Sequence, residues 1–111
     1  MKKYAVIKKN SVFKRLYNKG KCIVCPLFVL YIRKINTDSL FVGITVSKKI
    51  GKAHLRNRAK RVLRVAAREA HKAGLCGYEI VLTARAKTPF VKSDRVRDEL
   101  ISALKKNGYL L

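Results

Sequence analysis

The chain has 111 residues, of which 27 are Lys or Arg and only 6 are Asp or Glu, so its formal net charge is +21. This length predicts a single domain spanning residues 1–111, and the 49% of apolar residues can fill a core, which excludes a disordered basic tail. So much unpaired positive charge favours a polyanionic partner, a nucleic acid before a membrane surface or an acidic protein.

No part of the sequence has the pattern of a membrane span or a secretion signal. The apolar runs fall short of the roughly 18 residues that a span requires. The basic start of the chain, MKKYAVIKKNSVFKR, holds only a short apolar stretch, residues 5–7. The three cysteines, an odd number, fit a reducing compartment. We therefore expect a cytoplasmic protein without a signal peptide or a membrane contact.

The first predicted element is a short helix over residues 11–19. Asn10 or Ser11 can cap its first amides, and Gly20 stands where a left-handed residue would end it. Its larger apolar side chains recur at intervals of three and four and therefore share one face. They are Val12, Phe13, Leu16 and Tyr17.

Two or three strands are predicted after this helix. Residues 27–35 and 40–46 are rich in β-branched and aromatic side chains, and the turn-forming cluster 36–38 separates them. Residues 21–25 are a candidate for a shorter strand that ends before Pro26.

The longest periodic segment predicts a helix over residues 55–73, which Gly74 ends. Its apolar stripe consists of Leu55, Ala59, Val62, Leu63, Ala66, Ala70 and Ala73.

A strand over residues 78–84 and a last helix complete the predicted elements. Ser93 can cap this helix, whose inward side chains are Val96, Leu100, Ile101 and Leu104. The order α-β-β-β-α-β-α predicts an α+β sandwich in which helices pack on one sheet.

Positive charge is concentrated between residues 48 and 72, where ten cations accompany one acid, Glu69. Arg56, Lys60 and Arg64 follow each other at i, i+4 on the predicted helix, where like charges destabilise an isolated helix by about 0.2–0.5 kcal/mol per pair. An ordinary solvated helix face mixes charges of both signs. This face therefore predicts a nucleic-acid-binding surface.

Three aromatic residues are candidates for stacking on unpaired bases. Phe13 and Tyr17 lie one turn apart on the first helix, and Tyr31 lies in the middle of a predicted strand, where it can face the same groove. Single-stranded nucleic acid is held by basic grooves with stacking rings. The spacing by itself, however, favours core positions for Phe13 and Tyr17.

The sequence lacks the residues of a self-sufficient nuclease. A two-metal site needs several converging carboxylates, but three of the six acids here cluster near the start of the last helix, where the helix dipole explains them. Gly51-Lys52 lacks the first Gly and the Ser/Thr of a P-loop. Cys22 and Cys25 form a lone CxxC whose spacing on a strand points the two sulfurs to opposite faces. Zinc bound with Cys76 and a His is the less favoured alternative.

Residues 46–64, which contain Arg56-Asn57-Arg58, resemble the RNR signature of the bacterial ribonuclease P protein family. The segments at residues 13–17 and 28–31, together with Gly20, resemble other recurrent segments of that family, and length, charge and element order match it over essentially the whole chain. The resemblance implies a left-handed βαβ crossover within the α+β fold. It also implies the accessory protein of an endoribonuclease whose catalytic subunit is RNA and which removes the 5′ leader of precursor tRNA.

The resemblance further implies partners, a cofactor and site residues. The implied partners are the catalytic RNA subunit and precursor tRNA, with no obligate protein partner, and Mg²⁺ is expected to be held mainly by the RNA. Neither a catalytic residue nor a metal ligand is expected on the protein. Leader binding is implied for Phe13, Tyr17 and Tyr31, which reverses the preference for core positions. The candidate contacts to the RNA subunit are Lys48, Lys49, Arg56, Asn57, Arg58, Lys60, Arg61, Arg64 and Arg68.

The main alternative is a structural RNA-binding protein of ribosomal type, which would share the charge, the size and the α+β class. A helix-turn-helix DNA-binding protein is less favoured, because no short companion helix precedes the basic helix.

Overall fold

The computed structural model describes residues 3–111, so the first two residues of the basic amino-terminal stretch lie outside the described residues. The strands are β1 (Tyr4–Val6), β2 (Lys21–Val24), β3 (Phe28–Lys34), β4 (Leu40–Thr45) and β5 (Tyr78–Ala84). The helices are α1 (Asn10–Lys19), α2 (Ala53–Lys72) and α3 (Ser93–Lys106), with short 3₁₀ turns at Lys48–Ile50 and Thr88–Phe90. Within residues 3–111, no helix is long and apolar enough to cross a bilayer.

The five strands form one mixed sheet in the order β1-β4-β5-β3-β2. Strands β1, β4 and β5 are parallel, whereas β3 is antiparallel to β5 and β2 is antiparallel to β3. The turn at residues 36–38 joins β3 to β4, but β5 lies between these two strands. β4, α2 and β5 therefore form a crossover unit between parallel neighbours. Its left-handed sense remains a prediction of the resemblance.

The two faces of the sheet are covered unequally. Successive strand side chains point to opposite faces, and α2 and α3 pack on the face that carries Leu30, Ile32 and Leu82. On the other face, α1 is the one helix of residues 3–111 that packs, through Leu16 in a cluster with Val81 and Ile7. One ten-residue helix, about 15 Å long, cannot cover a five-stranded sheet. The uncovered part of this face is a cleft beside α1.

The α+β class is confirmed, with one strand more than predicted. The segment at residues 21–25 contains β2, and the other predicted elements agree with the structure within two residues at each end. β1 was missed, so the observed order is β-α-β-β-β-α-β-α. Three residues are too few to show a period, and the strand with which they pair, β4, lies far away in the sequence.

The predicted helix caps were wrong. The residue before α1 is Lys9, and no side chain bonds to the free amides of this helix. Ser93 is the first residue of α3 rather than its cap, and Lys92 precedes it without a capping bond. The end of α2 is closer to prediction, since the helix stops at Lys72 and Gly74 has a φ of +111°.

Gly20 was predicted to be left-handed, but this prediction was wrong. The residue is extended, with a φ of −78°. A glycine is needed there for a different reason. A Cβ at this position would lie 2.6 Å from the carbonyl oxygen of Leu16. The chain therefore leaves α1 for β2 through a contact too close for any side chain.

The inward stripe of α2 differs from the prediction at its carboxyl end. Ala67 is buried although it was not predicted, and Ala73 is exposed although it was. In α3, Val96, Leu100 and Leu104 are buried as predicted, while Ile101 is only half-buried.

Candidate RNA-binding surfaces

The three candidate stacking residues lie together beside α1, and we call the surface formed by Phe13, Tyr17 and Tyr31 the aromatic cleft. The ring centroids of Tyr17 and Tyr31 are 4.8 Å apart in an edge-to-face arrangement. Those of Phe13 and Tyr17 are 6.5 Å apart. Tyr17 is 42% exposed, whereas Phe13 and Tyr31 are half-buried. The rings thus form a row with one edge in the core and one edge open to solvent.

The ring of Phe13 packs directly against Gly43 of β4. A Cβ at this position would lie 2.6 and 2.8 Å from two ring carbons of Phe13, well inside the ordinary carbon contact distance of about 3.5–4.0 Å. The glycine therefore lets the ring lie directly on the strand backbone. This role of Gly43 was not predicted, although a lone glycine inside a strand pattern signals a close approach of another group.

A buried carboxylate ties α1 to the sheet. Glu79 of β5 is 3% exposed and accepts two hydrogen bonds from Arg15 of α1, at 3.1 and 3.0 Å. It accepts a third from Arg33 of β3 at 3.1 Å. The hydrogen bonds and charge of Glu79 raise the pKa of Arg15 above its ordinary value. This bridge holds the helix that carries Phe13 and Tyr17 over the sheet.

This role of Glu79 was not predicted. A single acid in the mostly apolar segment Tyr78–Ala84 was the only signal, and such an acid must be paired if it is buried.

Part of the cleft face carries small polar groups. The hydroxyls of Thr45 and Thr83 are hydrogen-bonded at 2.8 Å on neighbouring strands. Cys22 pairs with Tyr31 across β2 and β3. Burial, followed by the neighbouring Cys22, raises the pKa of the Tyr31 hydroxyl. Tyr31 therefore stays neutral at physiological pH.

The CxxC cysteines lie on opposite faces, as predicted. Cys22 is exposed on the cleft face, and Cys25 is buried among the core residues under α3. Among residues 3–111 there is no group of three or more His, Cys, Asp or Glu side chains placed to hold a metal ion.

The cations of α2 lie on its solvent side, opposite the alanine-rich stripe that packs on the sheet. We call this surface, together with the adjoining 3₁₀ turn, the basic face. Its exposed members are Lys48, Lys49, Asn57, Arg58, Arg61, Arg64 and Arg68, while Arg56 and Lys60 are half-buried. The only ion pair within α2 joins Glu69 to Lys72 at 3.7 Å, beyond the predicted contact residues.

The carboxyl-terminal half of the basic face borders a groove toward β1. Arg64, Arg68 and Tyr4 line a cavity of about 160 Å³ there. Burial raises the pKa of Tyr4, and the charge and hydrogen bond of Arg68 lower it in part. Tyr4 also packs against His71, with ring centroids 5.5 Å apart. Arg68 therefore belongs to both the solvent-facing row and this groove.

Two of the predicted RNA contacts differ in whether they have a partner within the protein. Arg58 donates its Nε to the carbonyl oxygen of Pro89 at 2.5 Å, which ties α2 to the turn at Thr88–Phe90. The Nε of Arg56 is buried and has no partner among the described residues. A buried donor without an acceptor is uncommon and costly in a complete structure. Arg58 therefore links α2 to this turn in addition to contributing positive charge, whereas the Nε of Arg56 still lacks a hydrogen-bond acceptor.

Comparison with known proteins identifies the family. The Ribonuclease P family model matches residues 1–108 of the chain. The ribonuclease P protein component of Bacillus cereus (strain B4264) is 37% identical over 109 residues, which cover 97% of this chain and 95% of the relative. That of Clostridium botulinum (strain Langeland / NCTC 10281 / Type F) is 36% identical over 107 residues, covering 92% and 93%. The chain belongs to the ribonuclease P protein family.

Solved ribonuclease P proteins share this fold. The Staphylococcus aureus protein superimposes with a TM-score of 0.79 at 33% identity, over 96% of this chain and 97% of that one. The Thermotoga maritima protein has a TM-score of 0.74 at 33% identity, over 85% and 89%. Family membership supports a protein subunit of ribonuclease P and decides against the ribosomal-type alternative. The residue assignments to the leader and to the RNA subunit remain predictions.

Proposed function

We propose that this ribonuclease P protein binds the catalytic RNA subunit through the basic face and the 5′ leader of precursor tRNA through the aromatic cleft. In this way it assists the Mg²⁺-dependent hydrolysis that removes the leader. The observation that supports this division most directly is the row of three rings on one face of the sheet, with the cation-rich helix on the other.

The aromatic cleft has the properties that unpaired nucleotides require. Base-aromatic stacking contributes about 1–3 kcal/mol per base and tolerates any base. Tyr17 offers the most exposed ring, and Phe13 and Tyr31 support it from the core side. A single-stranded leader fits such a row, whereas mature tRNA has no leader to place there. The cleft therefore favours binding of the precursor over the product.

The basic face lowers the electrostatic cost of bringing two RNAs together. Catalytic RNA and substrate repel each other through their phosphates, and cationic side chains between them replace part of the counterion atmosphere. Arginine suits this role because its guanidinium makes planar, bidentate contacts with phosphate oxygens. We therefore expect the protein to reduce the Mg²⁺ concentration that cleavage requires.

We assign the catalytic groups and the Mg²⁺ mainly to the RNA subunit, because most carboxylates of residues 3–111 have separate partners at separate places in the fold. Glu79 binds two arginines, and Glu99 accepts a hydrogen bond from the amide of Leu27. Three further carboxylates lie in α2 and α3. Glu69 pairs with Lys72, Asp98 pairs with Arg97, and Asp94 accepts a hydrogen bond from the amide of Arg95. These side chains do not converge on one point, so they do not fit a Mg²⁺ site of the two-metal type.

Precursor tRNA processing at low Mg²⁺ tests the proposal as a whole. The bare RNA subunit and the complex with this protein are compared at a Mg²⁺ concentration where the RNA alone is slow. We expect clear stimulation by the protein. No stimulation, or a stimulation that persists at high Mg²⁺ without any change in Mg²⁺ dependence, would contradict the screening role.

A double substitution tests the aromatic cleft. Tyr17→Ala with Tyr31→Ala removes two rings, and we expect weaker binding of precursor tRNA to the holoenzyme with little change for mature tRNA. The matched control is Tyr17→Phe with Tyr31→Phe, which keeps both rings and should keep the preference for precursor. Equal losses for precursor and mature tRNA would show that the leader does not lie in this cleft.

A further inference from the structure

Phe90 is an exposed aromatic residue that neither proposed surface uses. It ends the 3₁₀ turn Thr88–Phe90 and its side chain is 68% exposed. The two residues before it, Thr88 and Pro89, are buried. Keeping a phenyl ring in water forgoes about 1.5–3 kcal/mol of burial free energy. A ring held outward from a buried base therefore calls for an explanation other than packing.

The backbone that carries Phe90 is held in place by several hydrogen bonds. The amide of Phe90 donates to the carbonyl oxygen of Lys87 at 3.0 Å. The hydroxyl of Thr88 bonds to the carbonyl oxygen of Leu27 at 2.5 Å, and Arg58 of α2 donates to the carbonyl oxygen of Pro89 at 2.5 Å. The ring is thus presented from a fixed turn that is tied directly to the basic face.

The segments that adjoin the ring are cationic. Arg58 lies on the helix beside the turn, and Lys87 and Lys92 flank the turn along the chain, all three exposed. Arg85 is exposed as well, but it donates to the carbonyl oxygen of Cys25 at 2.8 Å. The nearest acid in the sequence is Asp94, whose carboxylate accepts a hydrogen bond from the amide of Arg95. A single exposed ring among cations matches the chemistry of an unpaired nucleotide, which offers a base to stack on the ring and phosphates to the cations.

We propose that Phe90 stacks on an unpaired base of the catalytic RNA subunit and extends the basic face by one aromatic contact. This inference rests on the proposed function of that face. The RNA subunit is favoured over the leader because Phe90 is braced to α2, which packs on the sheet face opposite the aromatic cleft. An apolar protein partner would require a wider apolar patch, but the exposed residues that follow one another around Phe90 in the chain, Lys87 and Lys92, are charged.

Binding of the RNA subunit alone, without precursor tRNA, tests this contact. Phe90→Ala and Phe90→Leu both remove the aromatic face, while Phe90→Leu keeps an apolar side chain. We expect each to weaken the affinity about fivefold or more, the loss that removal of one base stack produces. Val24→Ala is the matched control, because Val24 is 66% exposed on β2 and lies on the cleft face. It should leave the affinity for the RNA subunit unchanged.

Tryptophan fluorescence gives a direct second readout. The chain contains no Trp, so Phe90→Trp places a single fluorophore at the proposed contact and keeps an aromatic face. We expect this variant to bind the RNA subunit as tightly as the wild type, with emission quenched on binding, whereas Val24→Trp should not be quenched. The midpoint of thermal unfolding of each variant should stay near that of the wild type, because the ring is exposed.

The possible results separate this inference from the proposed function. If the wild type binds the RNA subunit and Phe90→Ala or Phe90→Leu binds equally well, the stacking contact is overturned while the proposed function stands. If the Phe90 variants lose affinity only for precursor tRNA in the holoenzyme, the ring contacts the substrate and the assignment to the RNA subunit is overturned. If the wild type itself does not bind the RNA subunit, both proposals fail.

Discussion

Replacing Gly43 by Ala perturbs the aromatic cleft where the Phe13 ring packs against β4. The new methyl carbon would lie 2.6 Å from the Phe13 ring, so the ring must retreat by about 0.9 Å to reach an ordinary carbon contact of about 3.5 Å. Overpacking of this kind costs about 1–3 kcal/mol. A glycine inside a strand costs about 0.5–1 kcal/mol relative to alanine, so the substitution also recovers that amount. We expect a net destabilisation of about 1 kcal/mol.

The binding consequence of Gly43→Ala is more specific than the loss of stability. A displaced Phe13 no longer aligns with Tyr17, so affinity for precursor tRNA should fall severalfold while affinity for mature tRNA stays constant. Urea unfolding measures the first effect, and holoenzyme binding to both RNAs measures the second. Phe13→Leu makes room for the methyl group, so the double variant should be more stable than the sum of the single effects predicts. Wild-type stability together with an unchanged precursor preference would refute the close contact between Gly43 and Phe13.

Three further substitutions test other parts of the structure. Glu79→Gln removes the charge that holds Arg15, and we expect the free energy of unfolding in urea to fall by about 1–3 kcal/mol. This loss is smaller than that for a fully buried pair, because the Arg15 side chain is 43% exposed. An unchanged stability would mean that the bridge does not hold α1 on the sheet. Arg64→Ala with Arg68→Ala should reduce the slope of log affinity for the RNA subunit against log salt by about one unit per arginine, and an unaltered slope would place both side chains outside the interface. The pKa of Tyr4 is raised in the folded state, so its contribution to stability is present below about pH 10, the ordinary Tyr pKa, and is lost as the pH rises through the folded pKa. Tyr4→Phe should therefore lose less stability than the wild type between pH 9 and pH 11. Equal losses in the two proteins would contradict this assignment.

The helices and strands were predictable because their signals are local. An apolar period of three to four identifies α2, and runs of β-branched residues identify β3 and β5. β1 has no such local signal, because its three residues form a strand only by pairing with β4. The wrong caps have a related cause. Ser93 has a residue type that favours a cap, but the chain enters α3 one residue earlier, at Lys92.

Of the two candidate surfaces, the basic face was the easier to predict. Arg56, Lys60, Arg64 and Arg68 recur at intervals of four residues on α2, so helical geometry alone brings them to one side. The aromatic cleft needed the resemblance, because Tyr31 and Tyr17 come from different elements. Their 4.8 Å contact depends on where α1 crosses the sheet.

By itself, the sequence determined the charge, the family and the side of α2 that faces solvent, because each of these depends on composition or on neighbours within a few residues. Only the tertiary structure decided that Gly43 carries Phe13, that Glu79 binds arginines from two elements, and that Arg58 braces the turn before Phe90. These contacts join residues at least 30 positions apart. They follow from strand order and helix placement, which the packing of the whole core selects and which no local pattern encodes.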